Sequence, residues 1–292
     1  MTSDKEQPTW AREALARIDR YQDALPRRAG RAEDFGPLTL FVRRDGGGPL
    51  HARPSPGGAA ARRAVRAADV ERVRDRQRAL GVPEVFEWVA ESAPELREAA
   101  EEAGLTVQER PLLVFPADVP TPVAAARAVP AGISVRTVAA DDPRLASAVA
   151  VAHLAFAELG THVGTAGAAE LAVAVRVYAP ETARTAGQIR AGTKTVVAAV
   201  EVTAGGRAGG ALSSGVLPGV IDGCTEISAV GTLPAARRRG LAGAVTARLV
   251  AEARELGART VFLGATDETV ARVYGRLGFR RVGTFLEAEP AR

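Results

Sequence analysis

Cysteine is almost absent: Cys224 stands alone in 292 residues, so neither an intrachain disulfide nor a thiolate metal cluster can be built, and a reducing, cytoplasmic setting is expected. Histidine is nearly as scarce. His51, His153 and His162 lie in separate segments with no ligand spacing among them, and no metal site is expected. No apolar run approaches the roughly 20 residues that span a bilayer, and the opening MTSDKEQPTW is polar rather than basic then apolar, so neither membrane insertion nor export is indicated. Charge of one sign is missing too. The 38 Lys and Arg are set against 34 Asp and Glu, a formal +4 spread too evenly for a nucleic-acid binder, whose positive charge gathers on one face. Lys, Met and aromatics are sparse beside Ala, Arg, Gly and Val, a bias that genome base composition explains as well as function does.

What is present is a chain able to bury a core: 47% hydrophobic and 25% charged residues mark a soluble globular protein, and 292 residues suit two domains. Residues 116–132, PADVPTPVAAARAVPAG, are rich in Pro and Ala with little periodicity and read as a linker between an N-terminal domain, 1–115, and a C-terminal domain, 133–292. Beyond the linker, 133–138 alternates like a strand and 143–159 has helical spacing. Residues 195–202, 209–216 and 224–232 read as three successive strands separated by GlyGly and ProGly turns. Then the period changes: Leu241, Val245, Leu249, Ala253 and Leu256 fall on one face of a helix that Gly257 ends. A strand at 260–263, a helix at 268–277 stopped by Gly278, and closing strand character at 279–286 complete an α+β domain with a mixed sheet.

The N-terminal part holds a fainter copy of that last third. A helix at 69–80 ends at Gly81, 84–89 is strand-like, a helix at 94–103 ends at Gly104, and 105–115 is strand-like. Leu80-Gly81 aligns with Leu256-Gly257, and Gly104-Leu105 with Gly278-Phe279 after a two-residue difference, an internal pseudo-repeat. Chance likeness between two helix-strand-helix-strand segments is the alternative. The N-terminal copy has no basic glycine loop and is not expected to bind the same ligand.

That loop joins strand to helix as Thr232-Leu-Pro234-Ala-Ala-Arg237-Arg238-Arg239-Gly240-Leu241-Ala242-Gly243. At such a junction the first N–H groups of the helix lack partners and the dipole presents partial positive charge, the setting a pyrophosphate needs. Gly240 lets a phosphate approach the backbone, Ala242 leaves room, and the three arginines add charge and donors. Neither the GxxxxGK[ST] loop nor the dinucleotide-binding fingerprint is present.

Arg237, Gly240 and Ala242, with Pro234 ahead, match [RQ]-x-x-G-x-[GA], the signature of the GNAT acetyltransferase superfamily, and Ala271-x-x-Tyr274-x-x-x-Gly278-Phe279 resembles its second motif. The resemblance covers about residues 133–287 and implies a mixed, mostly antiparallel sheet flanked by helices, preceded here by a smaller α/β domain whose reading as a degenerate GNAT copy would make this a tandem member. It implies acetyl-CoA as cosubstrate, without a metal, wedged between strands at 225–232 and 260–265. Val230 and Thr232 would be its backbone partners, and Arg237, Arg238, Arg239, Gly240, Leu241, Ala242 and Gly243 its phosphate loop. Where relatives often carry Asn, this chain has Asp267-Glu268, which puts a side-chain contact to the cofactor there in doubt.

Glu226, eight residues before Pro234, matches the position of a general base in some members, and Tyr274 matches the tyrosine that protonates the departing thiolate. Their bland alternatives are a glutamate in water and a tyrosine packed on its helix. Cys224 has no His placed to activate it and reads as a small buried hydrophobe, while core packing explains Trp10 and Trp88 as well as an acceptor pocket does. The expectation is transfer of acetyl to a primary amine by direct attack in a ternary complex, by a monomer or homodimer; the alternative is a catalytically quiet acyl-CoA sensor acting through a partner.

Overall fold

The structure is a computed structural model that describes residues 8–44, 49–56, 64–202 and 208–291. The chain forms two compact units, one of Met1–Leu113, Gly264–Thr266 and Arg281–Arg292, the other of Val114–Leu263 and Asp267–Arg280. Among the described residues no helix is long and apolar enough to cross a membrane.

The first unit opens with α1 (Thr9–Ala29), which buries Ala11, Ala14, Leu15, Ile18 and Tyr21 at helical spacing. Next come β1 (Gly30–Asp34), β2 (Leu38–Arg43) and β3 (Arg53–Pro54), a small antiparallel sheet in the order β1-β2-β3. Sequence patterning had offered no element before residue 69. Then follow α2 (Ala67–Leu80), β4 (Phe86–Val89), α3 (Leu96–Glu102) and β5 (Leu105–Phe115), near the expected places. Gly81 closes α2 in left-handed backbone, φ 65°, its N–H bonded to the Arg78 carbonyl.

The second unit takes in α4 (Val123–Arg127), β6 (Ile133–Thr137), α5 (Leu145–Ala157), α6 (Ala168–Val177), α7 (Ala179–Arg190), β7 (Thr195–Val202), β8 (Ala208–Leu217), β9 (Cys224–Glu226), β10 (Ser228–Thr232), α8 (Leu241–Glu255), β11 (Thr260–Gly264) and α9 (Glu268–Gly275). Strands β10, β8, β7 and β6 lie side by side in that order, all antiparallel. Helix α8 covers one face, where a side chain at Gly215 would meet Leu249 at 2.8 Å, and α5 covers the strand at Gly231, where one would meet Ala155 at 2.9 Å. Leu241, Val245, Leu249 and Ala253 are buried, as their spacing predicted, but Leu256, placed on the same face, lies just past the end of α8 and is exposed. Each such large aliphatic side chain removed from water contributes about 1.5–3 kcal/mol.

The stretch read as a linker carries α4 and is fastened by one guanidinium. Arg254 donates to the carbonyls of Pro116 (3.0 Å) and Val119 (2.6 Å) and to Thr121 Oγ1 (2.8 Å). Its guanidinium carbon also lies 4.9 Å from the Phe115 ring centroid. Irregular backbone has no ladder to satisfy its carbonyls, and a long-range arginine does so here.

The last strand, β12 (Arg280–Pro290), was expected to close the C-terminal domain. It pairs instead with β4 of the first unit, antiparallel, with Leu286 opposite Trp88 and Ala288 opposite Phe86, and the strand order there is β4-β12-β5. Leu286 and Ala288 are buried in one cluster with Leu38, Val70, Phe86 and Trp88.

Candidate active site

The segment from Cys224 to Thr232 does not run as one strand. Its first part, β9, lies parallel to β11 with Glu226 opposite Phe262, and the Ile227 N–H still donates to the Phe262 carbonyl at 2.7 Å. Its second part, β10, pairs with β8, Gly231 opposite Ser214 and Thr232 opposite Ser213. Between the two the register shifts, and Ala229 adopts φ 51°. That bulge leaves Ala229 and Val230 outside the β8 ladder and turns the chain away from β11, so β10 becomes the edge of its sheet. An edge next to diverging strands offers unpaired amide groups to an extended ligand.

After β10 a single turn, Pro234–Ala236, leads into the basic loop. Arg238 has φ 65°, and Gly240, the residue before α8, has φ 77°. The first bond into the helix runs from the Ala244 N–H to the Gly240 carbonyl. Among the described residues the backbone N–H groups of residues 238–243 have no partner. Arg238, Arg239 and Gly240 are exposed, Ala242 and Gly243 half-buried, and Leu241 anchors the helix start in the core. A row of open donors at the positive end of a 15-residue helix, beside two exposed guanidinium groups, suits a diphosphate.

Arg237 does something else. Its side chain is turned inward, the residue only 8% exposed, and donates to the carbonyls of Ala155 (3.1 Å), Glu158 and His162 (3.4 Å). Expected as part of the phosphate loop, it faces the end of α5 and the segment that follows.

Helix α9 begins with Asp267 as its cap, the carboxylate accepting from the Val270 N–H at 2.8 Å, so the departure from Asn keeps a helix-start function. Tyr274 lies on the buried face of α9, its ring 5.9 Å from that of Phe279, which in turn meets Phe115 edge-on at 5.1 Å. Burial pushes its phenol up to about 12. A side chain at Gly243 would reach Leu277 at 3.9 Å, so the two sequence motifs meet in space. Glu226 ends β9, half-buried, where the strands part. Cys224 is buried.

Three features had no clear sequence signal. Helices α5 and α6, with Tyr178 just beyond α6, wall an open groove of about 400 Å³ lined by Leu154, Glu170, Val173, Ala174, Val177 and Tyr178. Beside it His153 stacks on Tyr178 at 3.6 Å and touches Glu181 at 2.9 Å. In the first unit His51 does meet acidic groups: its Nδ1 is 3.1 Å from Glu87, and one ligand atom each of His51, Glu87 and Glu287 lie within 4.8 Å of one another. Arg53 and Arg110 occupy those carboxylates at 2.5 and 2.8 Å. This is the chemistry of an ion-pair network, not a donor set waiting for a cation.

The family model of FR47-like proteins matches residues 220–286, which span β9 through most of β12. Among solved structures, a GCN5-related N-acetyltransferase from Kribbella flavida is 25% identical with a TM-score of 0.67, covering 95% of this chain and 96% of its own. One from Sphaerobacter thermophilus is 19% identical with a TM-score of 0.51, covering 88% of this chain and 82% of its own. A tandem GNAT protein from the clavulanic acid biosynthesis pathway, solved without AcCoA, is 20% identical with a TM-score of 0.53, covering 87% of this chain and 79% of its own. A comparison with curated proteins returns no match. The fold is like that of GCN5-related N-acetyltransferases, and the matched segment resembles FR47-like proteins.

Proposed function

We propose that this protein is an acyl-CoA-dependent N-acetyltransferase that moves acetyl from acetyl-CoA to a primary amine by direct attack within a ternary complex. The observation that carries the reading is the run of partnerless N–H groups at residues 238–243, opening α8 beside the bulged edge strand β10. Those donors, with Arg238, Arg239 and Gly240, take the pyrophosphate, while Val230 and Thr232 offer backbone groups to the arm that leads toward Glu226.

The chemistry needs two proton transfers. An alkylammonium with pKa about 10.4 is neutral only to the order of one part in a thousand at pH 7, so the amine must give up a proton before attack. Glu226, at the point where β9 and β11 part, is the base, directly or through water. The departing thiolate gains a hydrogen bond and a proton from Tyr274. Burial keeps that phenol neutral at every physiological pH, so the proton is always in place.

The test mixes the full chain with acetyl-CoA and a panel of amines, and follows release of the CoA thiol. Amine-dependent release that falls about 100-fold or more in Tyr274→Phe and Glu226→Gln supports the assignment. Saturable CoA binding with no turnover on any amine would overturn it in favour of a sensor.

A further inference from the structure

The first arginine of the basic loop does not face the phosphate site. Its guanidinium gathers three carbonyls, those of Ala155 in the last turn of α5 and of Glu158 and His162 just beyond it. The final carbonyls of a helix have no intrahelical donor, so Arg237 supplies what α5 itself lacks. Two backbone bonds lie in parallel: the Gly164 N–H donates to the Pro234 carbonyl and the Ala235 N–H to the Ala166 carbonyl, both at 3.0 Å. From within the loop, Glu158 accepts from the Thr165 N–H at 3.2 Å and its Oε2 from the Ala166 N–H at 3.4 Å. Residues 158–167 are thereby stapled to residues 234–237.

The stapled loop is built as a surface. Leu159 and Val163 are exposed, whereas α5 just before it packs so closely on β10 that a side chain at Gly231 would meet Ala155 and Ala152 at 2.9 and 3.0 Å. The loop continues directly from the end of α5, the helix packed on β10, and carries two apolar side chains at its surface. We infer that Arg237 is a positioning residue for the acceptor: it holds loop 158–167 as one wall of the amine site and makes no contact with the phosphates. This rests on the acetyltransferase reading, and it divides the loop motif into donors that hold the cofactor, 238–243, and one arginine that holds the acceptor wall.

The experiment uses the full chain with Arg237→Gln, Arg237→Lys and Glu158→Gln. Dissociation constants for CoA come from calorimetry, KM values from thiol release, and backbone order from hydrogen exchange at Gly164, Thr165 and Ala166. Losing charge-assisted bonds to the loop is expected to raise the acceptor KM about tenfold in Arg237→Gln, with CoA affinity changed less than about threefold. Exchange across 158–167 should quicken, and Arg237→Lys should recover part of both effects. Glu158→Gln loosens the same loop without touching Arg237 and should reproduce the acceptor and exchange changes, which guards against an Arg237 variant that fails to fold. CoA affinity weakened tenfold with unchanged acceptor KM and unchanged exchange would make Arg237 a phosphate ligand and overturn the inference. So would a lowered melting temperature with neither kinetic nor exchange change. If the wild type acetylates no amine, the acetyltransferase reading fails on its own, while the CoA and exchange measurements still decide where Arg237 acts.

Discussion

Arg238 and Gly240 stand two residues apart with φ of 65° and 77°, both in left-handed backbone, and between them the chain turns its amide groups outward at the start of α8. Only glycine takes that conformation freely; for a residue with a Cβ it costs about 1–2 kcal/mol. A non-glycine held there is a strained residue, of the kind that clusters at functional sites. Gly240→Val is expected to weaken CoA binding by more than tenfold while leaving the α8 core packed. Arg238→Gly should raise the melting temperature slightly and yet weaken CoA binding, because strain is relieved and a charge lost together. Calorimetric titration with CoA and thermal unfolding of both variants check the pair.

Tyr274 supplies a prediction at alkaline pH. Its phenol is pushed up to about 12 by burial, above the value of about 10 expected in the unfolded chain. A group whose folded value is raised contributes stability that is complete below the unfolded value and is lost as pH climbs through the folded one. The wild type should therefore lose stability between pH 10 and 12 more steeply than Tyr274→Phe, by urea unfolding at fixed pH. The ultraviolet difference titration should show one late-ionising tyrosine that is missing in the variant.

Leu286 tests where the last strand sits. It is 4% exposed and packs with Leu38, Val70 and Trp88. Leu286→Ala should cost about 2–5 kcal/mol. Hydrogen exchange should speed up first at Phe86, Trp88 and Val89 in β4, its antiparallel partner. Loss of protection confined to residues 133–263 would contradict this assignment.

Glu87 governs behaviour in acid. Burial raises its carboxyl, but Arg53, His51 and Arg110 outweigh that and bring it down to about 2. The unfolded value is about 4.3, so the network's contribution is whole above that pH and drains away as pH falls toward 2. Urea midpoints at pH 6 and pH 3 should differ more for the wild type than for Glu87→Gln. At pH 6 the variant should be less stable by about 3 kcal/mol, since Arg53 is left without its carboxylate.

Local chemistry made much of this protein legible. Gly81 ends α2 where sequence patterning put the stop, whereas α9 ends at Gly275 before the expected stop at Gly278; the face Leu241, Val245, Leu249, Ala253 is buried as spaced, with Leu256 exposed beyond it. The helix start after Thr232 announced its open donors, because unpaired N–H groups follow from helix geometry alone. Elements α1, α6 and α7 went unseen. Their patterns are interrupted: α1 contains Pro26, while α6 and α7 leave Val173 and Val177 exposed and bury few residues.

The sequence by itself determined the helix-strand alternation of 69–115 and of 241–286 and the basic glycine loop, and it singled out Glu226 and Tyr274 as residues proposed to move protons. Only tertiary structure decided that 224–232 divides between β9 and β10, that β12 completes the sheet of the first unit, and that Arg237 faces inward. Strand partners and the carbonyls an arginine collects lie tens of residues away in the chain, Arg237 being 79 positions from Glu158. Periodicity reports which face of an element is apolar, not which neighbour that face or that guanidinium will meet.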